Sequence, residues 1–410
     1  MRKIVFVALC AIAVLGCKKA SGEYFDYSTV AVTGEAVDLT PFSATLICNF
    51  NITSSMNPDK WGVVGSTDPN PARDNSSFGY SMSSDEVAPE YRFEISSLEP
   101  ETTYYYRAFM ELVGIGTDPV VYGEIRQFTT PAVGNLGLTE SPILGSTCAI
   151  LRGSLPDYLK NAPVQVWFRH GKAFPDRTDE GSLQGTINME DGTFSADYID
   201  IGKEVTYYCQ AGFTYGNKNY FGEEKTFQVA DFAPTDGDLI DMGLSVKWGS
   251  CNVGASDPGK DGDYFAWGET QTKETFLPDN YLYNETPTQL PLTADAASVN
   301  LGGSWRMPTK EEYEEIINGA NTLHETGVYK GRYGHMYISR KNGNRVFFPC
   351  SGWKNEEGVG PVGTSGEYWT STFSTSTDNY NVAYLWTVGS GSTYFFGPVY
   401  YGLTVRGVQE

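Results

Sequence analysis

Carboxylates are the first candidates for chemistry, because four of them crowd one short stretch, Glu311, Glu312, Glu314 and Glu315. Two carboxyl groups that flank a cleft at a defined separation perform glycoside hydrolysis. These four instead share one turn of a predicted helix, and Glu312 is placed to cap that helix. The pattern therefore predicts a solvated helix turn rather than a catalytic acid pair.

A second acidic group, Asp257, Asp261 and Asp263, lies in a stretch that resembles a loose calcium loop. Calcium takes six to eight oxygen ligands, and the EF-hand supplies them at fixed positions. The spacing here is not that of an EF-hand. We predict a solvated turn, with no metal and no other cofactor.

Histidine and cysteine give no catalytic or zinc pattern. The three histidines, His170, His324 and His335, are far apart in the sequence, and no Cys-x-x-Cys pair is present. Neither a zinc site nor a histidine-activated nucleophile is therefore expected, and the protein is predicted not to be an enzyme.

The cysteines beyond the N-terminal segment are odd in number: Cys48, Cys148, Cys209, Cys251 and Cys350. Most should be small buried hydrophobic residues. The sequence does not decide whether Cys251 and Cys350 form a disulfide bridge. A bridge between Cys148 and Cys209 is not expected, because Cys148 is out of phase with the apolar face of its strand, whereas Cys209 should point inward.

Length and charge bound the possible functions. A chain of 410 residues should form two or three domains. The formal net charge of −21 argues against nucleic acid or anionic lipid as a partner. Abundant aromatic residues and glycines, with few long amphipathic helices, favour a mostly β protein.

The N-terminus has the pattern of an export signal. Arg2 and Lys3 precede an apolar run that is too short to anchor stably across a bilayer. The run ends in a sequence, Val14 to Cys17, that resembles the lipobox of bacterial lipoproteins. That resemblance implies a signal peptide at 1–16, a lipid on Cys17 and a tether at 17–26. An ordinary secretory signal is the alternative.

Two segments of similar length follow, 27–131 and 132–231. The first contains Leu98-x-Pro100-x-Thr102-x-Tyr104, which resembles the entry to strand F of fibronectin type III domains, with Tyr104 as the corner tyrosine. The second repeats the pattern with Tyr207 at the corner, but Lys203 replaces the proline. We therefore predict two all-β immunoglobulin-like sandwiches of the fibronectin type III kind.

The C-terminal segment, 238–410, contains the clearest helix signal. Thr309 and Glu312 can form a capping box, and Tyr313 and Ile316 begin an apolar stripe. Thr293 is a candidate cap for a shorter helix that Gly302-Gly303 would end. Strand-like stretches come later, with turns at 342–344 and 389–391, so this segment reads as α+β.

Six sequence blocks of this segment occur in the same order as the blocks of a known domain family: 238–256, 262–270, 295–316, 342–355, 367–372 and 401–408. Together they resemble the Fibrobacter-type major paralogous (FISUMP) domain found in Bacteroidetes lipoproteins. The resemblance implies a fold related to C-type lectin-like domains and to formylglycine-generating enzymes. Those enzymes depend on cysteines near the domain end, but none lies beyond Cys350 here. The calcium-dependent sugar signatures of C-type lectins are also absent from the sequence.

Aromatic residues supply the remaining candidates. Trp248, Trp267, Trp305 and Trp369 stand inside the family-like blocks and are predicted to be core residues. An exposed late patch is predicted as the ligand surface, comprising Trp353, Asn355, Tyr380, Tyr394, Phe395, Tyr400 and Tyr401. Packing of that patch on the second sandwich is the alternative.

These observations predict a lipid-anchored outer-membrane protein exposed at the cell surface. Its C-terminal domain would bind a glycan or a surface protein without catalysis, in adhesion or nutrient capture. One alternative is an accessory subunit of fimbriae, and a more remote one is an enzyme of the formylglycine-generating type. A periplasm-facing orientation also stays open, because Lys18-Lys19 rather than acidic residues follow Cys17.

Protease treatment of intact cells tests the surface location. A surface-exposed protein is degraded while a periplasmic marker stays intact, and immunoblotting measures both. Survival of the protein until the outer membrane is permeabilised would show that it faces the periplasm.

Overall fold

The computed structural model describes residues 29–52, 58–82, 89–112, 120–134, 138–160, 162–173, 177, 179–374, 382–388 and 393–410. The predicted signal peptide, Cys17 and the tether lie outside these residues. The chain divides into two compact units, Met1–Leu136 and Gly137–Glu410. Among the described residues, no helix has the length and apolar character needed to cross a membrane.

The first unit is a β-sandwich. Its three-stranded sheet has the order β1-β2-β5, and its second sheet runs β4-β3-β6-β7, with β8 also pairing β6. Strict alternation places Leu46, Cys48 and Phe50 inward around the buried Trp61. The strands are β1 Ala31–Val37, β2 Ala44–Phe50, β3 Pro58–Ser66, β4 Phe78–Met82, β5 Glu90–Ile95, β6 Thr103–Leu112, β7 Val120–Tyr122 and β8 Arg126–Thr129.

The second unit begins with another sandwich, whose two sheets have the orders β13-β14-β10-β9 and β12-β11-β15-β16. Both sandwiches therefore consist of antiparallel strands arranged in two sheets. The strands are β9 Ile143–Leu144, β10 Ala149–Ser154, β11 Gln165–Lys172, β12 Gly181–Gln184, β13 Thr186–Ile187, β14 Thr193–Tyr198, β15 Tyr207–Tyr215 and β16 Lys218–Phe227.

Each sandwich contains a tyrosine that ties its hydroxyl to the preceding turn. The Tyr104 hydroxyl accepts a hydrogen bond from the Glu99 amide at 2.8 Å. The Tyr207 hydroxyl accepts one from the Gly202 amide at the same distance. The second corner thus forms without the proline of the first, because the tie uses a backbone amide that any residue but proline supplies.

The C-terminal region of the second unit is mainly β-structure with two short helices. Its larger sheets have the orders β17-β18-β29, β19-β28-β25-β26-β27 and β20-β21-β22. The elements are β17 Leu239–Ile240, β18 Lys247–Asn252, β19 Tyr264–Phe265, α1 Ala296–Leu301, α2 Lys310–Ile317, β20 Thr322–Tyr329, β21 Arg332–Ser339, β22 Arg345–Pro349, β23 Lys354–Asn355, β24 Gly358–Val359, β25 Gly366–Phe373, β26 Val382–Val388, β27 Thr393–Pro398, β28 Leu403–Thr404 and β29 Arg406–Gln409.

Helix α2 begins at the capping box. The Thr309 hydroxyl accepts from the Glu312 amide at 3.3 Å, and the Glu312 carboxylate accepts from the Thr309 amide at 2.8 Å. Arg306 adds a two-pronged ion pair to the same carboxylate, at 2.6 and 2.8 Å. Asn318 ends the helix, and Ala320, which follows it, is exposed.

The cap of α1 differs from the prediction. Asp295, not Thr293, is the N-cap, since its carboxylate accepts from the Ser298 amide at 2.9 Å. The other oxygen of Asp295 accepts from the Met307 amide at 2.7 Å. Thr293 lies in a preceding 3₁₀ turn. Asp295 therefore fixes α1 and also the chain that leads into α2.

Tryptophans fill the core of the C-terminal region, because Trp248, Trp267 and Trp369 are fully buried. The indole nitrogen of Trp267 donates to the Thr370 carbonyl, and that of Trp369 donates to the Phe265 carbonyl. Trp305 is only half-buried. It borders a cleft of about 310 Å³ together with Cys251.

All five cysteines beyond the N-terminal segment are free thiols, so Cys251 and Cys350 are not bridged. Cys209 is fully buried inside its sandwich. Cys148 is buried elsewhere, in a cluster shared with the C-terminal region. Burial raises the pKa of the Cys48 thiol to about 12, as expected for an inert core cysteine.

Glu325 joins the second sandwich to the C-terminal region. This buried carboxylate accepts hydrogen bonds from the Ser146 and Thr147 amides, at 2.9 and 2.7 Å, and from the Cys148 thiol at 2.9 Å. Burial by itself raises the pKa of Glu325, but these hydrogen bonds outweigh burial and hold the pKa below its ordinary value. The carboxylate is therefore charged and satisfied where water is excluded.

Apolar contacts and ion pairs complete this junction. Ile143, Cys148 and Ile150 from the sandwich cluster with Met336, Ile338 and Phe347 of the sheet β20-β21-β22. Arg340 pairs with both carboxylate oxygens of Asp197, at 2.6 and 2.7 Å. The linker is fixed along β22, where the Thr235 amide donates to the Arg345 carbonyl at 3.0 Å.

The junction should be sensitive to acid. Because the folded-state pKa of Glu325 is lowered, its contribution to stability is full above the unfolded-state pKa and is lost as the pH falls through the folded-state pKa. We expect Glu325→Gln to destabilise the protein by about 3 kcal/mol at neutral pH, since buried donors lose their charged acceptor. The difference in the free energy of unfolding between the unmodified protein and Glu325→Gln should shrink in acid, where Glu325 is protonated. Urea unfolding followed by fluorescence measures it.

The matched control is Glu314→Gln, which removes an exposed ion pair with Lys310. That change should alter the free energy of unfolding by less than about 0.5 kcal/mol. Equal effects of the two substitutions would show that Glu325 does not hold the junction.

Candidate functional site

The candidate surface is built on the hairpin β23-β24. The Lys354 amide donates to the Gly402 carbonyl, and the Gly402 amide donates to the Lys354 carbonyl, both at 2.8 Å. These two bonds bring the predicted residues Trp353 and Asn355 beside Tyr400 and Tyr401. We call these four residues the hairpin surface.

Trp353 is half-buried and lies against the backbone of Gly360. A Cβ added to Gly360 would stand 2.5 Å from the indole, so no larger residue fits there without a shift. The inner part of the ring packs on the core cluster that includes Trp267 and Trp369. Trp353 is therefore both a core residue and a surface residue.

Tyr400 and Tyr401 meet edge to face, with ring centroids 5.2 Å apart. Tyr401 packs on the same core cluster as Trp353. Burial raises the pKa of Tyr400, and the charges of Tyr401 and Glu356 raise it further. The hairpin tip thus places a carboxylate near the exposed part of this tyrosine pair.

Polar groups beside these rings are held by local contacts. The Asn355 side-chain oxygen accepts from the Glu357 amide at 2.9 Å, which closes the hairpin turn. The Lys354 ammonium lies 4.5 Å from the centre of the Tyr264 ring, a cation–π contact. The surface therefore offers fixed aromatic faces together with amide, carboxylate and ammonium groups.

A groove of about 410 Å³ adjoins the hairpin surface. The Trp267 amide donates to the Val399 carbonyl at 2.8 Å. Gly268, which lines the groove, follows Trp267 in the sequence, and Tyr400 follows Val399, so this bond connects the groove with the hairpin surface. Tyr283 covers Gly268, and Glu269 and Gln271 also line the groove. An aromatic ring with planar polar groups beside it suits a polyhydroxylated ligand.

The remaining predicted ligand residues are not all described. Tyr380 lies outside the described residues, as does the predicted turn at 389–391. Tyr394 and Phe395 lie in β27, where Phe395 pairs in register with Leu385 of β26. Their side chains are outside the described part of the chain, so these two residues remain predictions.

Asp257 and Asp261 are paired with cations. Asp257 pairs with Lys330, and Asp261 pairs with Arg332 at 2.6 Å. Both basic residues lie on the hairpin β20-β21, which crosses the acidic turn. Within the described ranges, no group of three or more potential ligands could hold a metal ion.

The carboxylates of α2 are also engaged. Glu312 caps the helix, Glu314 pairs with Lys310 at 3.0 Å, and Glu315 accepts from the Ser245 amide at 3.0 Å. Each of these three therefore has a structural partner.

Two histidines that are separated in the sequence meet in the structure. The hairpin register places His324 Nε2 2.7 Å from His335 Nδ1, with stacked rings. Burial, together with the smaller effect of the neighbouring His324, lowers the pKa of His335 to about 4. Both rings are therefore neutral near pH 7. His170 instead packs against Tyr198, with ring centres 4.3 Å apart.

Arg406 is a structural residue that the sequence analysis did not single out. This fully buried guanidinium donates to the Asn252 side chain and to the carbonyls of Gly249, Ser250 and Phe347, at 2.8 to 3.0 Å. It also lies over the Phe348 ring at 4.5 Å. Arg406 thereby joins β18, β22 and β29. An arginine inside an apolar block was the available signal.

No family model and no curated protein sequence matches the chain. Among solved structures, it is similar to the chicken CNTN1 FN1-FN3 domains, with 9% identity, a TM-score of 0.20, and coverage of 49% of this chain and 67% of that one. It is also similar to a two-domain fibronectin type III segment from chicken tenascin, with 10% identity, a TM-score of 0.24, and coverage of 48% and 97%. Similarity this low does not establish a relationship to either protein.

Proposed function

We propose that this chain is a lipid-anchored outer-membrane lipoprotein of the Bacteroidetes type that binds a glycan through the hairpin surface, without catalysis. The observation that carries the proposal is the assembly of Trp353, Asn355, Tyr400 and Tyr401 on one hairpin and one turn. Aromatic faces stack on the apolar faces of sugar rings, and adjacent amide and carboxylate groups bind hydroxyls.

The FISUMP-like and C-type lectin-like description of the C-terminal region belongs to this proposal. Two features support it. Strands β18 and β29, which lie near the two ends of the region in the sequence, pair with each other, so the region closes on itself. The helices α1 and α2 lie between these strands in the sequence, and the later strands follow them. The hairpin surface lies on this closed body, at the far end of the chain from Cys17.

A structural role in a surface assembly is the second candidate. It is favoured by the junction at Glu325, because a spacer fixed to its terminal domain is suited to a rigid assembly. Protein partners without any glycan signal would support this role and contradict the first.

Substitution of Tyr400 is the cleaner test of glycan binding. Trp353 and Tyr401 also pack on the core, so their removal should lower the melting temperature. We expect Tyr400→Ala to weaken retention on a glycan array by about tenfold or more, or about 1.4 kcal/mol, with little change in melting temperature. Tyr333→Ala is the control, because Tyr333 is an exposed aromatic residue of a different hairpin. Equal retention of the two variants would contradict glycan binding at the hairpin surface.

Lipidation of Cys17 can be tested separately from glycan binding. Cells fed with a radiolabelled fatty acid should incorporate label into the protein, and Cys17→Ala should abolish that labelling and release the chain from the membrane fraction. Cys10→Ala is the matched control and should leave labelling unchanged. Absence of label from the unmodified protein would favour the ordinary secretory signal, and label that persists in Cys17→Ala would contradict lipidation at Cys17.

A further inference from the structure

The junction between the second sandwich and the C-terminal region contains a cleft of about 340 Å³. Its volume falls within the range of about 300 to 1,000 Å³ that is usual for small-molecule sites, and such sites favour domain interfaces. It is built from different residues than the hairpin surface. Its lining residues include Arg152, Thr186, Asn188, Ser195, Leu244, Asn321 and Lys341.

One wall is the outer face of the sheet β13-β14-β10. The register aligns Thr186 with Ser195 and Ser195 with Arg152, so these three side chains form a row across three strands. Two residues further along β14, Asp197 binds Arg340 and closes this end of the cleft. Thr193 continues the same face in the opposite direction.

The other wall is held by backbone and side-chain hydrogen bonds. The Ser339 hydroxyl donates to the Met242 carbonyl at 2.8 Å, and the Asn342 amide group donates to the Asp241 carbonyl at the same distance. The Arg340 Nε donates to the Gly319 carbonyl at 2.7 Å. With Glu325 fixing the junction, both walls are already in place before any ligand binds.

The charges of the cleft nearly cancel. Arg152 is paired with Glu140 at 2.9 Å, and Arg340 is paired with Asp197. Of the charged lining residues, this leaves the Lys341 ammonium and the Asp191 carboxylate, one of each sign. A phosphate or other anion would therefore find no net positive charge, and an apolar ligand would leave the polar walls without partners.

The groups that remain available suit a neutral polyhydroxylated molecule. Hydroxyls come from Thr186 and Ser195, and Asn321 offers its side-chain oxygen, since its amide nitrogen donates to the Glu315 carbonyl. Leu244 supplies an apolar patch for the carbon face of a ring. We propose that this cleft binds one or two rings of a neutral sugar, as a site separate from the hairpin surface.

A substitution at the rim of the cleft tests the proposal, because a large side chain there should block the cleft. Thr186 is exposed, so Thr186→Trp should fold normally while its indole occupies the cleft. Ser182→Trp is the control, because Ser182 is equally exposed but lies in β12 of the opposite sheet. The probes are glucose, galactose, mannose, N-acetylglucosamine and their β-1,4-linked disaccharides, each followed by saturation-transfer difference NMR on the whole purified protein.

We expect at least one of these sugars to bind the unmodified protein and Ser182→Trp equally, and to bind Thr186→Trp at least tenfold more weakly. That sugar should also bind Tyr400→Ala normally, which separates the cleft from the hairpin surface. The proposal is overturned if no sugar of the panel binds, if Thr186→Trp binds every sugar as well as the control does, or if only Tyr400→Ala loses binding.

Discussion

Glu325 carries a negative charge although it is only 7% exposed, and the arrangement of the second unit depends on how that charge is satisfied. An unpaired buried carboxylate is costly enough that it normally takes up a proton. Here the turn at residues 145–148 supplies backbone amides, hydroxyls and a thiol. These donors meet the carboxylate in the docked arrangement, so the charge favours that arrangement over an undocked one.

The sheet β20-β21-β22 is the element that makes such a junction possible. One face of β21 and β22 contributes Tyr337 and Phe348 to the core of the C-terminal region. The other face contributes Met336 and Phe347 to the cluster shared with the sandwich. A sheet covered on both faces reads as continuous apolar sequence rather than as alternation. A charge inside it is therefore tolerated only where the covering domain supplies donors.

Features encoded by neighbouring residues could be predicted from the sequence. The Thr309–Glu312 cap and the two corner tyrosines use partners within a few residues, so their spacing alone specifies them. The prediction of Thr293 as the cap of α1 was wrong, because Asp295 caps the helix and is also held by the Met307 amide, twelve residues away.

Features encoded by distant residues could not be predicted. Glu325 and Ser146 are separated by 179 positions, and Arg406 and Asn252 by 154. The contact between His324 and His335 depends on the register of a hairpin that the sequence did not specify. The hairpin surface was partly predictable, because its aromatic residues are concentrated late in the chain. Its pairing with Gly402 was not.

The linker that runs along β22 has a consequence for how the protein can be divided. A fragment that begins after residue 236 would expose Met336, Ile338 and Phe347 to solvent and would leave Glu325 without the turn that solvates it. A fragment that begins at Gly137 keeps both halves of that contact. The smallest piece of the C-terminal half that keeps this shared core and the donors of Glu325 is therefore the pair of domains, Gly137–Glu410.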